Sequence, residues 1–298
     1  MPLAVCLDGV YGHPDSLRVS VLDRGFLYGD GVFEVLRTYQ GEPFALGAHL
    51  GRLAQGLGLL EIALPVPLET LTAEVYETLR IAGNAESYVR VTVTRGEARA
   101  AGLDPSLAGA PTRVILVGPL ELPTAARYRT GIAVGLVRVP TLEGLGEASA
   151  VELRGAKTLN YLSNIVAQRM ARARGYDEAL CLGAGGRVLE AASANVFVVR
   201  AGVLSTPDEP ESLPGITRSL VLDLVRAAGM ECRVEPLGVE ALGTADEVFL
   251  TSSVREVMPV TAVEGRAVGA GVPGPVTRRV HGLYRGQTPW RQSPMPWE

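Results

Sequence analysis

Lys157 is the residue in this chain whose type and setting most directly imply covalent chemistry. Lysine and arginine together number 28, and Lys157 is the one lysine among them, so 27 are arginine. Arginine serves as well as lysine on a solvated surface. A chain biased towards arginine therefore keeps lysine where a guanidinium cannot substitute, although a surface lysine that survived by chance fits the same count. Only a neutral primary amine attacks a carbonyl carbon, and arginine is essentially never deprotonated. An unperturbed lysine pKa of about 10.4 leaves roughly one part in a few thousand neutral at pH 7, so a working amine needs surroundings that depress it. Tyr161 stands four residues on, in RGAKTLNYLSN. It would share a helix face with Lys157 if a helix began at the lysine, and its phenol could then hydrogen-bond a bound ring. The alternative is an aromatic in the core. Glu190 opens EAASANVFVV after a turn at Gly185 and Gly186. A carboxylate beside a pyridine nitrogen keeps it protonated and makes the ring an electron sink. A solvated glutamate at a strand end is the plain alternative.

The elements that must position these residues read as an α+β chain. Alternation predicts strands over 3–8 and 17–21 about a turn at 9–14, a strand over 33–39, and a hairpin return over 43–46. Apolar residues at helical spacing predict helices over 49–60 and 68–81. Strands are expected over 88–94 and 113–118, with a loop over 96–110 between them, and 119–128 reads as a linker. Beyond it come a strand over 131–139, a long helix over 160–174, and short strands over 179–182, 188–189, 195–200 and 203–206. A helix over 217–228 and a strand over 247–251 complete the pattern. The Pro-rich tail from 286 reads as a candidate for disorder. Strands are not regularly followed by helices, which favours α+β over a doubly wound sheet.

Composition narrows the partner. Hydrophobic residues make up 47% of the 298 and charged residues 20%, with a formal net charge of −4. No basic run is available for a nucleic-acid backbone or an anionic membrane, which leaves a small molecule as the expected partner. Cys6, Cys181 and Cys232 are far apart and odd in number, so neither a disulfide framework nor a zinc site is expected. His13, His49 and His281 are scattered, which argues against a histidine-based metal site or triad. No GxGxxG follows a predicted strand, and GxxxxGK[ST] is absent. The start, MPLAVCLDGVYGHPD, lacks a basic segment and a long apolar run, so a reducing cytoplasm is the expected location.

Six ordered blocks carry a resemblance. They are FLYGDGVFEVLRTYQG (26–41), HLGRL (49–53), KTLNYL (157–162), EAASANVF (190–197), LPGITR (213–218) and DEVFLTSSVREVMPV (246–260). In these blocks the chain resembles the class IV aminotransferases, the fold-type IV pyridoxal 5'-phosphate (PLP) enzymes. The resemblance implies a two-domain, D-amino-acid aminotransferase-like α+β architecture with the cofactor between the domains. On this chain the expected divisions are 1–120, 126–285 and a tail over 286–298. It also implies a homodimer at least. By the same resemblance Lys157 forms the Schiff base and shuttles the substrate proton. Arg52 binds the cofactor phosphate through the paired donor geometry of a guanidinium. Tyr161 contacts the 3'-oxygen, Glu190 the pyridine nitrogen, and Leu213 packs on the ring. Ile216 and Thr217 hold the phosphate at a helix amino end, with the Thr251-Ser252-Ser253 turn supplying further hydroxyls, Ser253 the closest match among them.

The activity so implied is amino-group transfer between an amino acid and a 2-keto acid. The family also contains 4-amino-4-deoxychorismate lyases, which eliminate pyruvate, and that reaction is the alternative. Branched-chain members typically read FEG and TGTAA, where this chain has Phe33-Glu34-Val35 and Thr251-Ser252-Ser253-Val254. D-amino-acid transaminases carry a tyrosine in YEV and an RxH pair after VTRG; Phe33, Arg99 and Ala101 stand there instead. The lyases usually have a hydroxyl where Val35 stands. The candidate substrate contacts are Phe33, Val35, Arg99 and Val254, with Arg99 expected to take a substrate carboxylate. Arg90 and Arg95 are expected to be solvated.

Overall fold

The computed structural model describes residues 2–100, 102–139, 155–208 and 212–297. The chain divides into two compact units, 1–121 with 155–160, and 122–154 with 161–298. The six residues around Lys157 group with the first unit, although the sequence reading places them inside the second segment.

The first unit is an antiparallel sheet with helices on one face. Its strands are β1 (Ala4–Leu7), β2 (Val10–Gly12), β3 (Gly31–Tyr39), β4 (Glu42–Pro43), β5 (Ser87–Thr94) and β6 (Thr112–Pro119), in the order β2-β1-β6-β5-β3-β4. Strict alternation on β5 buries Ser87, Val89, Val91 and Val93 and leaves Tyr88, Arg90 and Thr92 half-buried. The buried side joins Val32, Leu36, Ile115 and Val117 in a core closed by the helices Leu46–Leu59 and Leu68–Ala82. The helices contribute Leu50, Leu53, Leu57, Leu71 and Val75 at helical spacing, as the sequence predicts. Residues 17–21 form no strand. Val19 and Val21 are exposed, so the alternation there has no sheet to pair with, and β2 supplies the hairpin instead.

The second unit is a mixed sheet. Its strands are β7 (Ile132–Arg138), β8 (Glu178–Leu182), β9 (Arg187–Ala191), β10 (Asn195–Arg200), β11 (Val203–Thr206), β12 (Cys232–Val234), β13 (Leu237–Gly238), β14 (Glu247–Ser252), β15 (Glu256–Val263) and β16 (Arg266–Ala267). They run β12-β11-β10-β14-β15-β7-β8-β9-β13, with β16 on β15. β7 pairs parallel with both β8 and β15. One face packs on the helix Leu162–Ala173 through Ala167 and Ala171; the other buries Tyr128, Leu180, Val196, Val248 and Met258. The helices Ile216–Ala227 and Pro275–Arg285 pack on β14 and each other.

Three expectations are corrected here. The long helix begins at Leu162 rather than 160, with Tyr161 as its N-cap, so Lys157 and Tyr161 do not share a helical face. The expected linker over 119–128 already contains the start of the helix Ala125–Thr130, whose Tyr128 is buried. The described part of the tail carries structure: Pro289–Gln292 forms a 3-10 turn and Trp297 packs edge-on against His281 at 4.8 Å between ring centroids. Two tryptophans in the tail supply enough apolar surface to hold it down, since a large aromatic brings more burial than a polar segment can resist. Among the described residues no helix is long and apolar enough to cross a membrane.

Candidate active site

Lys157 is fixed by backbone hydrogen bonds beside the amino-terminal half of β3. The Phe33 N–H donates to the Lys157 carbonyl at 2.9 Å, and the Leu159 N–H donates to the Gly31 carbonyl at 3.0 Å. Gly31 must be glycine, because a Cβ there would stand 2.5 Å from the Val93 carbonyl oxygen. The Lys157 Nζ lies 4.8 Å from the centre of the Phe33 ring, and the Arg90 guanidinium carbon lies 3.8 Å from the same centre. Both are within reach of a cation–π attraction. Register explains the grouping. Phe33 pairs with Thr92 and Val35 with Arg90, so these side chains share the sheet face opposite the one that packs on the helices. Arg90 is therefore not a freely solvated arginine. Arg99, the arginine favoured from sequence, is exposed on the loop after β5, where its N–H donates to the Leu107 carbonyl. Arg95 is not solvated either. It donates to Asp30 at 2.8 Å and to the Leu60 and Glu61 carbonyls.

Glu34, between Phe33 and Val35, points to the other face and is fully buried. Arg52 donates to it from Nε and Nη2 at 2.7 and 2.8 Å, and His49 Nδ1 lies 2.7 Å from its Oε2. Burial pushes the Glu34 carboxyl up, but the bonds from Arg52 and His49 outweigh it and hold the group below the usual carboxylate range. This alters the expectation for Arg52. The paired Nε and Nη2 edge that the sequence reading offered to a phosphate is engaged by Glu34, so His49 and Glu34 act as the setting that aims the guanidinium.

The second unit brings together Glu190, Asn195, Leu213, Gly215 and Thr251. The pairing of β8 with β9 shifts register between Leu180–Ala191 and Leu182–Val188, so Leu189 and Glu190 face the single residue Cys181. A bulge of this kind re-aims a side chain. Glu190 is half-buried, and its Oε2 accepts from the Leu213 N–H at 3.1 Å and from Asn195 Nδ2 at 3.3 Å. Asn195 Nδ2 also donates to the Leu213 carbonyl at 2.8 Å. Burial, with Glu190 and Glu178 adding to it, pushes the Cys181 thiol up to about 12. Gly215 leaves room for the Asn195 amide, since a Cβ would stand 1.9 Å from its Oδ1. As the N-cap of Ile216–Ala227, Gly215 brings no side-chain cap to the first turn, where Thr217 is buried. Thr251 pairs with Asn195 across β10 and β14. Its hydroxyl is buried without a hydrogen-bond partner among the described residues. Ser252 accepts from the Arg255 N–H at 3.3 Å, and Ser253 and Val254 complete the turn.

The model of the family described as amino-transferase class IV matches residues 31–263. The chain belongs to the class IV aminotransferase family. A putative branched-chain-amino-acid aminotransferase of Methanocaldococcus jannaschii is 36% identical over 97% of this chain and 98% of its own length. A D-alanine aminotransferase of Bacillus licheniformis is 31% identical over 93% and 94%. A T.th. branched-chain amino acid aminotransferase, solved with N-(5'-phosphopyridoxyl)-L-glutamate, superposes with a TM-score of 0.88 at 28% identity, covering 97% of this chain and 95% of its own. As a class IV aminotransferase the protein is a PLP-dependent transferase with a fold-type IV architecture. Its residues fit that cofactor. The uncapped amino end at Gly215 and the unpartnered Thr251 hydroxyl suit a phosphate, and the Glu190 carboxylate suits a protonated ring nitrogen.

Sequence reasoning expected Arg90 in solvent and gave no role to Asn195, Glu34 or His49. For Arg90 the usable signal was its place in the strand 88–94, two residues from Tyr88 and Thr92 on one face.

Proposed function

We propose that the protein transfers an amino group from amino acids with apolar side chains to a 2-keto acid, with Lys157 as the covalent attachment point for PLP. The observation that carries this reading is the shared ring of Phe33, which holds the Lys157 amine and the Arg90 guanidinium on one sheet face. Phe33 and Val35 offer an apolar wall to a side chain, and Arg90 a donor fork to a carboxylate, in place of Arg99. The names of two relatives, a putative branched-chain-amino-acid aminotransferase of Methanocaldococcus jannaschii and a branched-chain-amino-acid aminotransferase of Escherichia coli, support apolar donors.

Arg52, Ile216, Thr217, Thr251, Ser252 and Ser253 would hold the phosphate, and the Thr251 hydroxyl, buried without a partner among the described residues, supports its place in that turn. Tyr161 would contact the 3'-oxygen, Leu213 the ring face, and Glu190 the ring nitrogen, its carboxylate already aimed by Leu213 and Asn195. Bound PLP supplies an electron sink at the substrate α-carbon. Lys157 Nζ takes the α-proton and returns it at the adjacent position, so the lysine must shed its own proton first. Val254 would border the substrate.

A homodimer is part of the reading. The apolar residues Val21, Leu22, Phe26, Leu27 and Leu103 are exposed. Arg24 ties their two segments by donating to the Gly102, Leu103 and Asp104 carbonyls. Exposed apolar side chains on two tied segments support an interaction surface there. Three free cysteines suit a reducing cytoplasm.

The experiment is a spectrum of the purified protein near about 410–420 nm, followed by a panel of L- and D-amino acids. Loss of that band with leucine, isoleucine or valine and formation of the matching keto acid is the expected result. Pyruvate released from aminodeoxychorismate without an added keto acid would overturn it.

A further inference from the structure

Arg255 touches two of the turns that carry candidate cofactor contacts in the second unit, the one at Ser252 and the one after Glu190. Its Nη1 donates to Glu178 Oε2 at 2.8 Å and its Nη2 to Ser193 Oγ at 2.9 Å. Ser193 in turn donates to Glu178 Oε1 at 3.0 Å, closing a three-residue ring. Ser193 lies in the tight turn closed by the Ala191 N–H donating to the Ala194 carbonyl at 2.8 Å, with Glu190 just before it and Asn195 just after. The backbone of Arg255 serves the other turn. Its N–H donates to Ser252 Oγ at 3.3 Å, and its carbonyl accepts the Tyr128 hydroxyl at 3.1 Å. Glu178 is buried on β8. One residue thus joins the hydroxyl turn by its main chain, the glutamate-bearing hairpin by its guanidinium, and the sheet beneath both through Glu178.

We propose that Arg255 is a positioning residue for the transamination. It fixes the Ser252 hydroxyl and its turn in register with the Glu190 hairpin, so that the donors for the phosphate and the carboxylate for the ring nitrogen stand at one set spacing. The inference rests on the reading of these two turns as PLP contacts. Arginine suits the task because two acceptors, on a strand and on a turn, are met at once by the two ends of a planar fork. Lysine would preserve the charge facing Glu178 but bring a point donor that serves one acceptor well. Neither Arg255 nor Ser193 is needed to touch the cofactor.

The test uses the full chain freed of cofactor, as wild type, R255K, R255M and S193A, each titrated with PLP while absorbance and tryptophan fluorescence are followed. Charge-assisted hydrogen bonds are worth about 1.5–3 kcal/mol, so the PLP dissociation constant of R255M is expected to rise roughly 10- to 100-fold. R255K should recover part of that loss, and S193A should show a smaller rise. The pH midpoint of the cofactor absorbance should move in R255M as well, because the Glu190 hairpin shifts with the turn. A residue that only supports the fold would lower the melting temperature while leaving the dissociation constant and the pH midpoint within about twofold of wild type, and that result overturns the proposal. If R255M does not fold, R255K and S193A, which keep a cation facing Glu178, decide it by the same two readouts. Wild type that takes up no PLP on Lys157 would overturn the functional reading and this inference together. Wild type that binds while every variant binds equally would overturn this inference alone.

Discussion

Lys157 and Arg90 meet on one phenyl ring, and the chemistry expected of each can be separated by substitution. Because Lys157 is the single lysine, borohydride reduction of the PLP-loaded protein should add mass at that residue alone. Lys157→Ala should abolish both that addition and turnover; retained turnover would remove the lysine from the mechanism. Arg90→Leu leaves Phe33 in place and removes the donor fork. If Arg90 binds a substrate carboxylate, kcat/KM for the amino acid should fall roughly 10- to 100-fold, the worth of a charge-assisted hydrogen bond. The same change at exposed Arg99 should cost far less, and the reverse order would restore the arginine favoured from sequence. The lysine was legible because its type is chemically irreplaceable. The proposed place of Arg90 was not, since sequence spacing does not state which face of β5 looks towards Lys157.

At the scale of elements, the two hairpins and the strand β15 set the second unit's site. Glu256 opens β15 with a positive φ of 56° and is fully buried. His281 Nε2 lies 2.5 Å from Glu256 Oε2, and Arg285 Nε donates to the same oxygen at 2.7 Å. Burial raises the Glu256 carboxyl, yet His281 and Arg285 overcome it and bring the value down from 4.5 to about 2. Its folded value lies below its unfolded one, so its contribution to stability is present above pH 4.5 and lost as pH falls towards about 2. Thermal unfolding should show a falling midpoint through that window. Glu256→Gln should lose about 3–5 kcal/mol at neutral pH by stranding Arg285, and its midpoint should be flatter in acid. Burial pushes His281 down, partly offset by Glu256, so the imidazole stays neutral at pH 7 and bonds as a donor. Gly215→Ala tests the hairpin from the other side. A Cβ at 1.9 Å from Asn195 Oδ1 must displace the amide that aims Glu190. The expected cost is about 1–3 kcal/mol of stability together with weaker PLP retention, and an unchanged melting curve would remove the constraint. Strand and helix positions were largely legible from periodicity. The bulge at Leu189 and Glu190 was not, because an inserted residue leaves no mark on apolar alternation this short.

For the whole molecule, the exposed apolar group around Phe26 predicts association. Size-exclusion chromatography should give twice the chain mass, and Phe26→Ser, at a side chain that is 73% exposed, should shift the species towards the monomer without changing its melting curve in dilute solution. Monomer behaviour of the wild type would overturn the expectation of a dimer. The family match spans residues 31–263, and the ordered motifs within it were enough to anticipate an α+β PLP enzyme.

The sequence by itself determined what depends on residue type and local order. It pointed to Lys157 as the proposed amine, because lysine can become a neutral nucleophile where arginine cannot, and it identified the motif blocks and the period of most helices and strands. Tertiary structure decided what depends on side chains distant in the chain. Residues 155–160 join β3 through hydrogen bonds to Gly31 and Phe33, more than 120 residues earlier in the sequence. Arg52 commits its paired edge to Glu34 across 18 positions, and Arg255 reaches Glu178 across 77. Such pairings follow from strand register and helix packing, and burial then makes each one strong by excluding the water that would otherwise satisfy both partners.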